Sequence, residues 1–145
     1  MLRYNKKFVE EKQYEKFQTS KYPDKKLAIL TCMDTRLVEL LPAALGIKNG
    51  DVKIIKNAGG MITDPFGSVI RSLLIAIVEL GVEEIMVIGH TDCGVDFEQW
   101  LHGFDKVENS VRETVDLLIH HPLVPADVTI KGYIIDTITG ELTPL

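Results

Sequence analysis

The chain has 145 residues, 46% of them hydrophobic, enough to bury one sizeable core, so a single domain spanning 1–145 is expected. Sixteen Lys+Arg against 21 Asp+Glu leave a net charge of −5, which argues against a nucleic-acid binder that draws its affinity from neutralising phosphates. The longest run of strongly apolar side chains, Leu73 to Val78, falls far short of the ~18 residues needed to span a bilayer.

Residues 2 to about 20 scatter Leu2, Tyr4, Phe8, Val9, Tyr14 and Phe17 among many charges, the pattern of one or two amphipathic helices that need something to lie on. No apolar core followed by a small-residue cleavage site occurs between Met1 and Lys26, so this arm (1–25) is not expected to be a secretory signal, and cytoplasmic residence is the default. Tyr22-Pro23-Asp24 ends the arm. Lys26 to Cys32, KLAILTC, is an apolar run of strand length. Leu37 to Leu45 has helical character, shortened or kinked by Pro42. Asp51 to Ala58 reads as a second strand. The helix expected over Gly67 to Leu80 is apolar nearly all round from Leu73, so it is deeply buried or partly covered by a second subunit. Glu84 to His90, EIMVIGH, is the third strand, Val107 to His121 a helix stopped by Pro122, and Thr129 to Thr137 the fourth strand. Strands alternating with helices predict an α/β fold, a mostly parallel sheet of order about 2-1-3-4 flanked by helices.

Two cysteines are too few for a disulfide scaffold, so their meaning comes from context. Cys32 ends the first predicted strand, His90 ends the third, and Cys93 follows three residues later. In a doubly wound sheet the carboxyl ends of strands one and three are neighbours at the point where strand order reverses, and ligands collect there. Two thiolates and an imidazole form a soft donor set suited to Zn2+, and three protein ligands leave a fourth tetrahedral position for water. In Cys32-Met33-Asp34-Thr35-Arg36, a carboxylate follows a metal ligand by two positions, close enough to become a conditional fourth ligand itself. Arg36, two further on, is placed to hold Asp34 in a bidentate, charge-assisted pair and keep it off the metal. Asp34 and Arg36 are therefore the candidate catalytic pair, with backbone amides of Gly59 or Gly60 as possible supports for Asp34. No substrate-binding residue or proton shuttle is identifiable.

Cys-x-Asp-x-Arg, Asn57-Ala58-Gly59 and His90-x-x-Cys93-Gly94, in that order at the ends of predicted strands, resemble the β-carbonic anhydrases, most closely the small bacterial members. The likeness extends from the N-terminal arm through Ile135. It implies one zinc ion per chain on Cys32, His90 and Cys93, Asp34 and Arg36 as the catalytic dyad, and reversible hydration of carbon dioxide to bicarbonate. It also implies a homodimer or higher homo-oligomer whose N-terminal helices embrace a partner subunit. One departure is visible. The family carries a further stretch of helix and loop after the His-x-x-Cys-Gly motif, whereas here Cys93-Gly94 runs almost directly into Val95 and Trp100. Either the protein carries a deletion at Gly94-Val95 or this sequence omits a segment of the natural one.

Three other functions compete. The same site suits hydrolysis of carbonyl sulfide or carbon disulfide. A zinc-stabilised oligomeric module with impaired catalysis would follow from the short connection. A thiol redox protein would use Cys32 and Cys93, but these lie 61 positions apart rather than in a Cys-x-x-Cys turn, and His90 would have no role. His102, His120 and His121 are expected at the surface or capping helix ends, and Trp100 and Phe104 in the core or a subunit contact.

Overall fold

A computed structural model describes residues 1–93 and 107–145. The arm forms helix α1 (Leu2–Glu10) and a 3₁₀ turn (Gln13–Phe17), broken apart at Lys12, whose φ is 53°. Then come β1 (Leu27–Cys32), α2 (Leu37–Ala44), β2 (Val52–Asn57), a 3₁₀ turn (Ala58–Gly60), α3 (Ser68–Val78), β3 (Glu84–His90), α4 (Val107–His120), β4 (Thr129–Ile135) and β5 (Leu142–Pro144). The sheet order is β2-β1-β3-β4-β5. The first four strands are parallel and β5 is antiparallel to β4, so the expected 2-1-3-4 order holds with one edge strand added. No described helix is long and apolar enough to cross a membrane.

A strand buried on both faces needs a near-continuous apolar sequence, because covering helices remove water from either side. β1 meets this condition: Ala28, Ile29, Leu30 and Thr31 are fully buried. Successive side chains alternate between faces. Ala28 and Leu30 join Ile70, Leu73 and Ala76 of α3 and Val111 and Leu118 of α4 in one cluster. Ile29 packs with Leu37 and Leu41 of α2. Helices α3 and α4 thus cover one face and α2 the other. The single polar residue among these four, Thr31, donates its hydroxyl to the Ile88 carbonyl at 2.8 Å, which satisfies it and cross-links β1 to β3 one residue before Cys32.

Helix α3 buries only part of its circumference. Ile70 and Leu73 are inside, while Ile75 and Val78 stand exposed in the single chain. The arm is similarly uncovered: Leu2, Tyr4 and Val9 are exposed.

Of the two positions expected for His121, the surface or a helix end, it takes the second, directly after α4, and is buried there. It is 5% exposed, its Nε2 lies 2.6 Å from the Pro65 carbonyl, and its Nδ1 accepts the Leu123 amide at 3.2 Å. The imidazole therefore clasps the end of α4 to the loop leading into α3. His120 does sit at the surface, beside Asp116. His102, Trp100, Phe104 and the Gly94-Val95 junction lie outside the described residues.

Candidate metal centre

The parallel register places the carboxyl ends of β1 and β3 side by side, with Thr31 opposite Ile88. Cys32 and His90 are the last residues of those strands, and the turn after β3 brings back Cys93. One possible ligand atom from each lies within 4.8 Å of the other two. Cys32 and His90 are buried, at 2% and 1% exposure; Cys93 is half-buried.

The imidazole is pre-set for coordination. His90 Nδ1 is 2.9 Å from the Thr91 carbonyl, which only accepts, so Nδ1 carries the proton and Nε2 the lone pair. That Nε2 is buried without a hydrogen-bond partner among the described residues. An orphaned buried nitrogen is costly unless something else satisfies it, and here it faces two sulfurs. A cation with soft or borderline character, zinc above all, fits this donor set. The Thr91 backbone that orients the ring is itself anchored, its amide donating to the Ile135 carbonyl at 3.1 Å and its hydroxyl accepting the Thr137 amide at 3.0 Å.

Asp34 and Arg36 adopt the bidentate pair expected of them. Arg36 Nε donates to Asp34 Oδ1 at 3.0 Å and Nη2 to Oδ2 at 2.9 Å, while the Arg36 backbone amide also donates to Oδ1 at 2.9 Å. The Arg36 side chain first, and its amide second, hold the Asp34 carboxyl well below the usual carboxylate range. The reciprocal contacts, from Asp34 first and then Asp92, push the guanidinium up. Asp34 Oδ2 lies 3.9 Å from His90 Nε2, beside the donor triad. Asp34 takes its hydrogen bonds from Arg36, not from Gly59 or Gly60.

Gly60 has a different role. Its φ is 65°, and a Cβ there would lie 2.7 Å from the Cys32 amide nitrogen and 2.7 Å from the Thr31 carbonyl carbon. The turn after β2 therefore presses its backbone directly onto the end of β1. Gly60→Ala is expected to lose about 1–3 kcal/mol from strain and overpacking. It is also expected to weaken metal retention by displacing Cys32, which denaturant unfolding and chelator competition would measure. Gly89 serves the other ligand strand: a Cβ would lie 2.6 Å from Val107 Cγ1 and 2.8 Å from Val111 Cγ2, so its absence lets α4 pack against β3 beside His90.

The sequence reading missed Asp92. Arg36 Nη1 donates to its Oδ2 at 2.8 Å and Nη2 to its carbonyl at 2.7 Å. The only signal available was its place between two ligands.

Fold and site together define an α/β enzyme with a Cys-His-Cys metal-donor set at the carboxyl end of a parallel sheet. Comparison with known proteins agrees. A family profile described as carbonic anhydrase matches residues 27–98. YtiB, a carbonic anhydrase candidate of Bacillus subtilis, is 49% identical, the match covering 98% of this chain and 92% of YtiB. The carbon disulfide hydrolase of Acidithiobacillus thiooxidans is 31% identical over 83% of this chain and 77% of its own. Among solved structures, β-carbonic anhydrase isoform I of Trichomonas vaginalis superposes with a TM-score of 0.89 at 30% identity, covering 99% of this chain and 93% of that one. The chain belongs to the β-carbonic anhydrase family of enzymes. The YtiB match runs over 172 positions against the 145 residues of this chain, so at least 27 positions face a gap here. Relative to YtiB, this chain lacks an internal stretch.

Proposed function

We propose that this protein catalyses the reversible hydration of carbon dioxide to bicarbonate with one zinc ion held by Cys32, His90 and Cys93. The observation that carries the reading is the buried Nε2 of His90, which has no hydrogen-bond partner among the described residues and faces two cysteine sulfurs. Bound zinc would supply a Lewis acid that lowers the pKa of a coordinated water, toward ~7 where the protein ligands are neutral and less far with two thiolates, and so makes a hydroxide nucleophile available. The residues of the chain do the rest. Cys32 and Cys93 would hold the ion as thiolates that balance its charge, and neutral His90 would complete the three-donor set. Asp34, ionised and clamped by Arg36, accepts a hydrogen bond from the nucleophile and orients it. While the clamp holds, Asp34 is kept from acting as a fourth ligand. Water and carbon dioxide give bicarbonate and one proton, which leaves to solvent or buffer.

The protomer is read as a single domain in a homodimer or higher homo-oligomer, with the arm packed on a partner. The exposed Leu2 and Tyr4 of α1 and Ile75 and Val78 of α3 support that packing. Cytoplasmic residence suits a site that needs reduced thiols.

Two thiolates weaken the acidifying effect of the metal on water, so hydration is expected to rise between pH 7 and pH 9. Metal analysis with thiol titration, joined to stopped-flow hydration assays across that range, tests the proposal. It expects one zinc per chain, both thiols masked, and alkaline activity above neutral activity. Thiols that titrate freely in a zinc-free active protein would overturn it. A second reading, hydrolysis of carbonyl sulfide or carbon disulfide, is favoured by the carbon disulfide hydrolase relative, and turnover on each substrate separates the two. The gap of at least 27 positions favours a third, a zinc-stabilised module with impaired catalysis, which zinc at one per chain without turnover would reveal. A thiol redox role leaves the His90 nitrogen with nothing to do.

A further inference from the structure

Arg36 has five N–H donors in a rigid plane, and its side chain makes four hydrogen bonds, three to two carboxylates and one to a backbone carbonyl. The Nε–Nη2 side of the fork meets Asp34, while the Nη1–Nη2 end meets the Asp92 carboxylate and carbonyl. Asp92 sits in the turn between His90 and Cys93 with φ at 51°, a left-handed conformation that Asp tolerates better than most residues. Its side chain is 86% exposed, so the pair adds little as a stabilising ion pair. Its geometry has a more specific consequence. A guanidinium with one partner, 39% exposed as this one is, is free to turn about its own stem and offer other edges. Partners on two edges leave one orientation.

We propose that Asp92 is a positioning residue for the Asp34–Arg36 pair: by holding the far end of the Arg36 guanidinium, it keeps the near side closed on Asp34. It also ties the turn leading to Cys93 to the loop that follows Cys32. Without Asp92, Arg36 releases Asp34 more often, and Asp34 Oδ2, 3.9 Å from His90 Nε2, competes for the open metal position. The inference rests on the zinc reading above.

The test uses Asp92→Gly and Asp92→Asn, both compatible with a left-handed φ, in cobalt(II)-substituted protein titrated with azide and followed by visible absorption. Azide reports whether the fourth position is exchangeable. Asp92→Gly is expected to raise the azide half-saturation concentration by on the order of tenfold, with Asp92→Asn in between. Loss of a negative charge alone would strengthen anion binding, the opposite sign. In an Arg36→Gln background the Asp92→Gly effect is expected to vanish, because no guanidinium remains to be positioned. An azide curve for Asp92→Gly that overlays wild type, or an effect that adds in full to that of Arg36→Gln, overturns the proposal. Wild-type protein that takes up no cobalt overturns the zinc reading with it.

Discussion

Cys32→Ser is expected to purify without stoichiometric zinc and to hydrate carbon dioxide no faster than buffer alone. The sulfur is one of the three proposed donors, and the other two sit on β3 and the turn after it, so removal would leave a two-point site. The loss should exceed the ~10- to 100-fold that removing an outer partner of a metal site costs. Cys32 is 2% exposed and packs near Ile29, Leu37 and Leu41, so serine also buries a hydroxyl whose hydrogen bonding is not assured, at a cost of about 1–3 kcal/mol. Comparing thermal unfolding of the variant with that of chelator-stripped wild type separates the two effects. A variant that keeps the apo-protein's unfolding temperature within a few degrees while failing to bind zinc isolates the metal defect. Full zinc occupancy in Cys32→Ser would remove this residue from the ligand set.

Asp34→Ala should behave in the opposite way toward the metal. Zinc stays at one per chain, because the three donors are untouched, while kcat falls by roughly 10²- to 10⁴-fold, the range for removal of a positioned proton-accepting group. Arg36 keeps Asp92 as a partner, and its partial exposure lets water take the vacated donors, so the fold is not expected to suffer. Asp34→Asn offers one acceptor oxygen instead of two and cannot complete the bidentate pair; it should retain zinc and fall between. Stopped-flow hydration with parallel metal analysis reads both quantities, and undiminished turnover in Asp34→Ala would remove Asp34 from the mechanism.

The parts of this molecule that were legible in sequence are those where local pattern and global topology agree. KLAILTC and EIMVIGH are short apolar runs bounded by polar residues, and they fold as central parallel strands within a residue of the expected limits. Once they are parallel neighbours, residues at their carboxyl ends must converge, which is why Cys32, His90 and Cys93 could be grouped without coordinates. β5 was missed because Leu142-Thr143-Pro144 is only three residues long and contains proline, which sheets accept at an edge but which demotes a run as a strand signal. It forms because Asp136 shapes the connecting turn, accepting from the Ile138 and Thr139 amides. Asp92 was missed because its importance depends on where the Arg36 fork ends, and an acidic residue in a turn otherwise reads as solvated. His121, at a helix end before a proline, had the pattern of a surface cap; only packing of the Pro65 loop reveals the clasp.

The adjacency of β1 and β3 also has a temporal meaning. Cys32 and His90 are brought within reach only by pairing of two strands whose backbones are joined across Thr31 and Ile88. Before β1 and β3 pair, a nascent chain offers only the local His90–Cys93 pair, and the complete three-donor site comes with assembly of the sheet centre. An ion held there would act as a lock fastened last, on a door that the hydrophobic layers have already closed.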